Sequence, residues 1–321
     1  MFEGINPSSM KRILPALVFI LLLSRSVNLY SQIVAKGYST PVMQAFQKGK
    51  TFAVLTNDET FNQWFRQALQ KQWTINQLQF ITAAKLDSIV SNDKNFFLFA
   101  QAKDEKTGVF HLLNADDLVK KKEFFVMLSQ GGAKQSKLLF TSALTGPKIL
   151  GSFRYGPDRA ELTSGMMECE MLFSLLNQSL QVVIENKIKN EVKDSVKWVI
   201  SDGYSKEIKD KVLLINRSYY NGAISLDDNP LITDKVLEDY PWDYLIVGKD
   251  SVAEMFNDPS GNYCYLFLYF PGARFKKTED SGDILVYDPR QKKFLYFDDN
   301  LDGPWIEKWK MKALVAAAKR K

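Results

Sequence analysis

Two spacings of apolar residues alternate along most of this chain, and they come in the same order twice. Residues 51–56 are a short apolar run, which predicts a buried strand. Asn57, Asp58 and Glu59 then open a stretch where Phe61, Trp64, Phe65, Leu69 and Trp73 recur at helical spacing. Residues 78–81 predict a second strand, 85–90 a short helix stopped near Asn92 and Asp93, and 96–100 a third strand. A polar turn leads to an apolar stretch at 109–113 and a further strand at 124–128.

The second series begins with a strand at 211–216, followed by a helix at 231–240 and a strand at 244–247. A short helix at 249–256 stops at Asn257 and Asp258, and strands follow at 263–270, 284–287 and 294–297. Local text agrees as well: Lys85, Asp87, Ser88 and Ile89 match Lys249, Asp250, Ser251 and Val252. The offset drifts from 160 at Phe52/Val212 to 165 at Phe80/Leu245 and 170 at Phe124/Phe294. Repetition of this kind predicts a duplication, with Phe80/Leu245 and Phe99/Phe267 as matched core positions.

Between the two series, residues 163–189 place Met166, Met171, Leu172, Leu175, Leu176 and Leu180 at helical spacing. Residues 305–321 predict a last helix in the corresponding place. Each unit reads β-α-β-α-β-β-β-α, an α/β class (α+β is the alternative) with mixed sheets covered by helices. The expected boundaries are 1–31 for an export signal, 32–190 for the first unit and 191–321 for the second. Residues 186–210 read as a charged linker whose apolar core is 198–200. The order β-α-β-α-β-β-α is similar to thioredoxin-like folds. No Cys-x-x-Cys follows either first strand, however, and no Pro precedes Phe96 or Tyr263, so redox chemistry is not implied.

The N-terminus carries its own pattern. Lys11 and Arg12 precede an 11-residue apolar run at 13–23, then a polar stretch ending at Ser31. This is the three-part layout of a secretory signal peptide, with Met10 as a candidate start. An 11-residue run falls short of the ~20 residues of a membrane span. The chain is therefore expected to be exported, periplasmic or extracellular, with no stable membrane span after cleavage.

Composition narrows the chemistry. At 45% hydrophobic the chain is too apolar for disorder, and 42 basic against 37 acidic residues gives no bulk charge for nucleic acid. One histidine, His111, rules out His-rich metal sites; it lies in an apolar strand and reads as structural. Two cysteines, Cys169 and Cys264, rule out a zinc ribbon, and their apolar neighbours predict buried, free thiols.

Three segments remain as candidate chemistry. Ligands in open α/β sheets bind beyond the carboxyl ends of strands. The segment after the strand at 211–216 offers Asn216, Arg217, Tyr219 and Tyr220 to an anionic or sugar-like ligand. The alternative is a loop closed by a turn at Asn221 and Gly222. Asp298, Asn300, Asp302 and Gly303 match the first half of a calcium loop, but position twelve is Trp309. The competing reading is a strand-to-helix turn with Asp302 as N-cap, Pro304 in the first turn and Glu307 near the positive end of the helix dipole. Ser129, Gly131 and Gly132 open a long connection to 162 that matches no phosphate-binding loop. Lys308, Lys310, Lys312, Lys319, Arg320 and Lys321 form a basic tail suited to the negative end of the last helix.

No catalytic motif appears and no cofactor is expected. The function expected is therefore non-catalytic binding, at a cleft between the units or at strand ends, of a small molecule or an envelope protein. The alternatives are an exported hydrolase with a spatially assembled site, or an envelope assembly factor that uses an exposed Met166/Met171/Leu175 stripe.

Overall fold

The computed structural model describes residues 40–103, 110–120, 124–132, 149–155, 165–188, 192–222, 230–258, 260–269, 282–301 and 306–320. Residues 1–31, expected to be an export signal, lie outside them. Helices and strands mix throughout, and the fold is α/β.

In the first sheet the strands are β1 (Lys50–Leu55), β2 (Gln77–Thr82), β3 (Asn95–Lys103), β5 (Phe124–Gln130) and β6 (Ile149–Tyr155). They lie in the order β2-β1-β3-β5-β6, and a short β4 (Phe110–Leu112) pairs with β3. β1 runs parallel to β2 and β3, while β5 is antiparallel to β3 and β6 antiparallel to β5. In the second sheet β7 (Val212–Asn216), β8 (Tyr244–Val247), β9 (Tyr263–Tyr269), β10 (Gly282–Asp288) and β11 (Lys293–Leu301) lie in the order β11-β10-β9-β7-β8. Directions repeat too: β7 is parallel to β8 and β9, and β9–β10 and β10–β11 are antiparallel.

This topology re-pairs two of the matched segments. The strand of Phe124 is fourth across its sheet, whereas that of Phe294 is fifth. The counterpart of β11 is β6, which the sequence reading had left in a connection. Gly151 and Ser152 interrupt its apolar text, so nothing in its composition announces a strand.

The helices are α1 (Thr40–Lys48), α2 (Glu59–Gln72), α3 (Ala83–Ile89), α4 (Ala115–Val119), α5 (Gly165–Glu185) and α6 (Val192–Tyr204). After them come α7 (Arg217–Tyr220), α8 (Asp234–Leu237), α9 (Lys249–Asn257) and α10 (Lys308–Ala318). The expected linker thus contains α6, a 13-residue helix. Val196 and Ile200 are its buried face, while Trp198, expected inside, is 62% exposed. The helix expected over 231–240 contracts to the single turn of α8.

Strand alternation sends side chains to two faces of each sheet. In the first sheet Ala53, Phe96, Leu98, Val126 and Phe153 meet α2 and α5 on one face. Phe52, Val54, Phe97 and Phe99 meet Leu86 of α3 on the other. In the second sheet Leu213, Ile215, Leu266 and Val286 meet α8 and α10, and Leu214, Tyr265, Phe267 and Leu285 meet α9. The first crossover and the closing helix therefore share one face in each unit, and the second crossover takes the opposite face.

The units are stacked front to back. One core cluster holds α2 and α5 of the first unit together with the α9 face of the second sheet. Among the described residues the space between the sheets is filled, and the cleft expected there is absent. Residues Met171, Leu172, Phe173, Leu175 and Leu176 of α5 are all buried, because the helix is covered from both sides. Met171 and Leu175 of the stripe expected to meet an assembly partner are therefore covered, and the side chain of Met166 lies outside the described residues.

Polar residues of α5 lock into both units. Asn177 accepts from the Thr74 backbone N–H at 3.1 Å, and its Nδ2 donates to Thr74 Oγ1 at 3.0 Å. On the other side Gln178 accepts from the Phe294 N–H at 2.7 Å and donates to the Phe294 carbonyl at 3.1 Å. Ser201 of α6 treats Phe297 the same way, donating to its carbonyl at 2.9 Å and accepting from its N–H at 3.1 Å. These side chains occupy the outward backbone groups of β11, an edge strand otherwise open to a further strand.

Of the matched core pairs, Phe99 and Phe267 both lie on the second-crossover faces of their sheets. Phe80 and Leu245 do not correspond: Phe80 is half-buried beneath Arg66, 4.9 Å from the ring centroid, and Leu245 is 45% exposed. Both sit on edge strands, where apolar character does not guarantee cover. Where β5 ends, Gly131 has no room for a side chain: a Cβ would lie 2.3 Å from the Asn92 carbonyl oxygen. Gly132 follows with a positive φ of 93°.

Cys169 and Cys264 are buried and unpaired. Burial, with Glu168 beside Cys169, pushes the Cys169 thiol pKa well up. Burial also raises that of Cys264, against a smaller opposing effect of Lys211. Neither is then a thiolate in mildly alkaline buffer. Iodoacetamide should label neither cysteine in the folded protein and both after denaturation; a label acquired without unfolding would contradict this burial. No helix among the described residues is long and apolar enough to cross a membrane.

Candidate functional site

Because successive crossovers leave opposite faces, strand order reverses at the first strand of each sheet. The carboxyl ends of the strands there are left as a crevice. In the first unit a groove of ≈ 370 Å³ lies among Leu55, Asn57, Thr82, Leu112 and Asn114. No charged side chain lines it. Behind it, His111 Nε2 lies 2.8 Å from Asp117 Oδ2, and Asp117 closes a capping box with Asn114 at the start of α4. The histidine is thereby tied to a helix cap.

The larger groove belongs to the second unit, near the ends of β7 and β11. It encloses ≈ 740 Å³ between Pro230–Val236 and the start of α10. Its floor is Leu231, Val236 and Ile306, and its rim carries Lys235, Trp309 and Lys312. The two walls are joined by the Ile306 N–H, which donates to the Leu231 carbonyl at 2.8 Å.

Asn216, Arg217, Tyr219 and Tyr220 build the wall behind this groove and do not line it. Asn216 is buried and caps α7, accepting from the Ser218 N–H at 2.9 Å. Tyr219 is fully buried; its carbonyl accepts the N–H groups of Leu231 at 2.7 Å and Ile232 at 3.1 Å. Arg217 is exposed, one turn away. The Tyr220 hydroxyl donates to Asp234, whose carboxylate raises the tyrosine pKa and keeps it a donor. The residues singled out from the sequence thus stand at this strand end, behind the groove and not along it.

The start of α10 accounts for the lining. Lys319 and Arg320 stand at its negative end as expected, but the helix begins at Lys308, so Lys308, Lys310 and Lys312 lie toward its positive end. Its N-cap is Glu307, with no side-chain cap bond, and not Asp302, which lies outside the described residues. Two of these lysines are paired. Lys308 Nζ lies 3.6 Å from Glu238 and 3.4 Å from Asp239, and buried Lys310 lies 3.1 Å from Asp298. Lys312 and Lys235 are exposed and make no ion pair among the described residues.

Trp309 is held between them although 49% exposed. Its indole N–H donates to Glu307, and Lys310 Nζ sits 4.2 Å from the ring centroid. The ring is fixed by its edge and by that cation. Its remaining apolar surface opens onto the groove. An exposed lysine-rich helix start around a tryptophan was the available sequence signal. Placing the helix start three residues early obscured it.

Of the calcium-loop candidates, Asp298 and Asn300 lie inside β11, and Asp302 lies outside the described residues. The Asp298 carboxylate is already neutralised by Lys310 at 3.1 Å and Lys197 at 3.6 Å, and the Tyr296 hydroxyl donates to it at 3.3 Å. Burial, then the Asp298 charge, raises the pKa of Tyr296 and keeps that hydroxyl protonated. No known family model matches the chain, and neither a curated protein nor a solved structure matches it.

Proposed function

We propose that this is an exported, non-catalytic binding protein whose site is the groove between Pro230–Val236 and the start of α10. Its ligand is an anion that carries a flat ring. One observation carries the reading: a tryptophan locked at its N–H and by a cation stands on an apolar floor, between two exposed lysines that make no ion pair among the described residues. A ring stacks on the indole, and Lys235 and Lys312 reach the charge. Export is supported by Lys11, Arg12, the apolar run at 13–23 and Ser31. The same reading takes the two units as divergent copies of one ancestor, supported by their common strand order, strand directions and helix placement.

Phenyl phosphate is the smallest probe with both features. Titrated against the protein and followed by ligand-observed NMR, it should bind saturably, and more tightly than inorganic phosphate or phenol. Trp309→Ala and the pair Lys235→Glu/Lys312→Glu should each weaken it by about tenfold, or ~1.4 kcal/mol, without changing the melting temperature. Equal binding of phenol and phenyl phosphate, or no loss in Trp309→Ala, would discard the site.

A further inference from the structure

The two edges of the second sheet are treated differently. On β11 the outward backbone groups of Phe294 and Phe297 are taken by Gln178 and Ser201, so no strand can add there. On β8 no strand or helix among the described residues covers the outer side, and the sheet ends with it. Its text is Tyr-Leu-Ile-Val, with Tyr244 38% and Leu245 45% exposed.

Register decides which groups face outward. Leu213 pairs with Tyr244, and the Leu213 N–H donates to the Asp243 carbonyl at 2.9 Å. In a parallel ladder Asp243, Leu245 and Val247 then turn their backbone groups toward β7. Tyr244 and Ile246 turn theirs away from the sheet, leaving two donors and two acceptors along the edge.

We propose that β8 pairs with β8 of a second copy of this chain, antiparallel and across a two-fold axis through Leu245. Tyr244 of each copy then exchanges both backbone hydrogen bonds with Ile246 of the other. The two sheets become one continuous sheet, an isologous contact in which the same patch faces itself. The two Leu245 side chains meet on the axis as a non-hydrogen-bonded pair, the closer of the two antiparallel pair types.

Charge selects this occupant and this direction. An acid, Asp243, precedes the strand and a base, Lys249, follows it. Antiparallel alignment sets each Asp243 opposite Val247 of the other copy, two positions from that copy's Lys249; parallel alignment would set like beside like. Aromatic residues extend the patch. Exposed Tyr244 and half-buried Trp242 both pack on buried Tyr240, at 6.3 and 5.4 Å between ring centroids, and such residues are enriched at interfaces. A four-residue edge is short, so the dimer should be weak and reversible, with a dissociation constant of ~1–100 µM.

Sedimentation of the full chain over a concentration series tests this together with cysteine cross-linking. The wild type should shift reversibly from monomer to dimer. Leu245→Lys, which sets two ammonium groups face to face on the axis, should weaken dimerisation at least tenfold. Leu245→Cys should give a disulfide-linked dimer under mild oxidation, because the pair stands ~4.5 Å apart at Cα. Tyr244→Cys, opposite Ile246 of the other copy, should not cross-link. The native cysteines are buried and do not compete. A chain that stays monomeric throughout, a Leu245→Lys protein that associates as well as wild type, or equal cross-linking of the two cysteine variants would overturn the proposal.

Discussion

Phe173→Ala should lower the stability of the whole chain by about 3–5 kcal/mol and still leave a single melting transition. Phe173 of α5 is fully packed, with ring centroids 5.6 Å from Phe65 and 4.9 Å from Phe153. Truncation removes the transfer energy of a buried ring and leaves a cavity that α2 and β6 cannot both move to fill. Two units with separate cores would respond separately. Here the helix that carries Phe173 also carries Gln178, which is bonded to Phe294 of the second sheet. Loosening α5 therefore strips cover from both units. Scanning calorimetry decides: equal calorimetric and van't Hoff enthalpies are expected in wild type and variant. Two transitions, only one of them shifted, would mean the shared core is not cooperative.

The buried pair beside the groove supplies the second large effect. Lys310→Met should cost about 3 kcal/mol, the low end of what breaking a buried ion pair costs, because Lys197 remains near Asp298. Methionine keeps the volume and the helix propensity, so the loss comes from a carboxylate left with Lys197 and the Tyr296 hydroxyl but without its nearest cation. The double variant Lys310→Met/Asp298→Leu should recover most of that loss, since no charge then remains buried. Urea denaturation measures all three proteins. A double variant less stable than Lys310→Met would show that the pair itself, and not its disruption, carries the stability.

Continuous apolar runs were the most legible part of the fold. The runs that became β1, β3 and β9, and the periodicity of α5, announced elements whose side chains are buried on both sides. Edges were not legible. Leu245 and Phe80 have core composition, but only strand order reveals that nothing lies beyond them. β6 was missed because Gly151 and Ser152 lower its strand propensity; its pairing with β5 outweighs that local text. For the candidate site, periodicity placed the strand end correctly and erred on the helix start. Trp305 was read as its first residue; the helix starts at Lys308, which puts Lys308 and Lys310 in its first turn, the unfavourable end of the dipole for a cation. That conflict with local electrostatics, placed around an exposed tryptophan, marks the candidate site.

The front-to-back stacking sets an order of assembly. Synthesis delivers the first unit and α5 before any strand of the second sheet exists. One side of α5 then waits for the sheet that will cover it, and its apolar length faces water or a chaperone until β7 to β11 arrive. The reverse order has no counterpart. The second unit, made alone, would carry Leu214, Tyr265, Phe267 and Phe294 on a sheet face with no helix from the first unit to meet it. The nascent chain thus grows in the only direction that offers its later half a finished surface on which to fold.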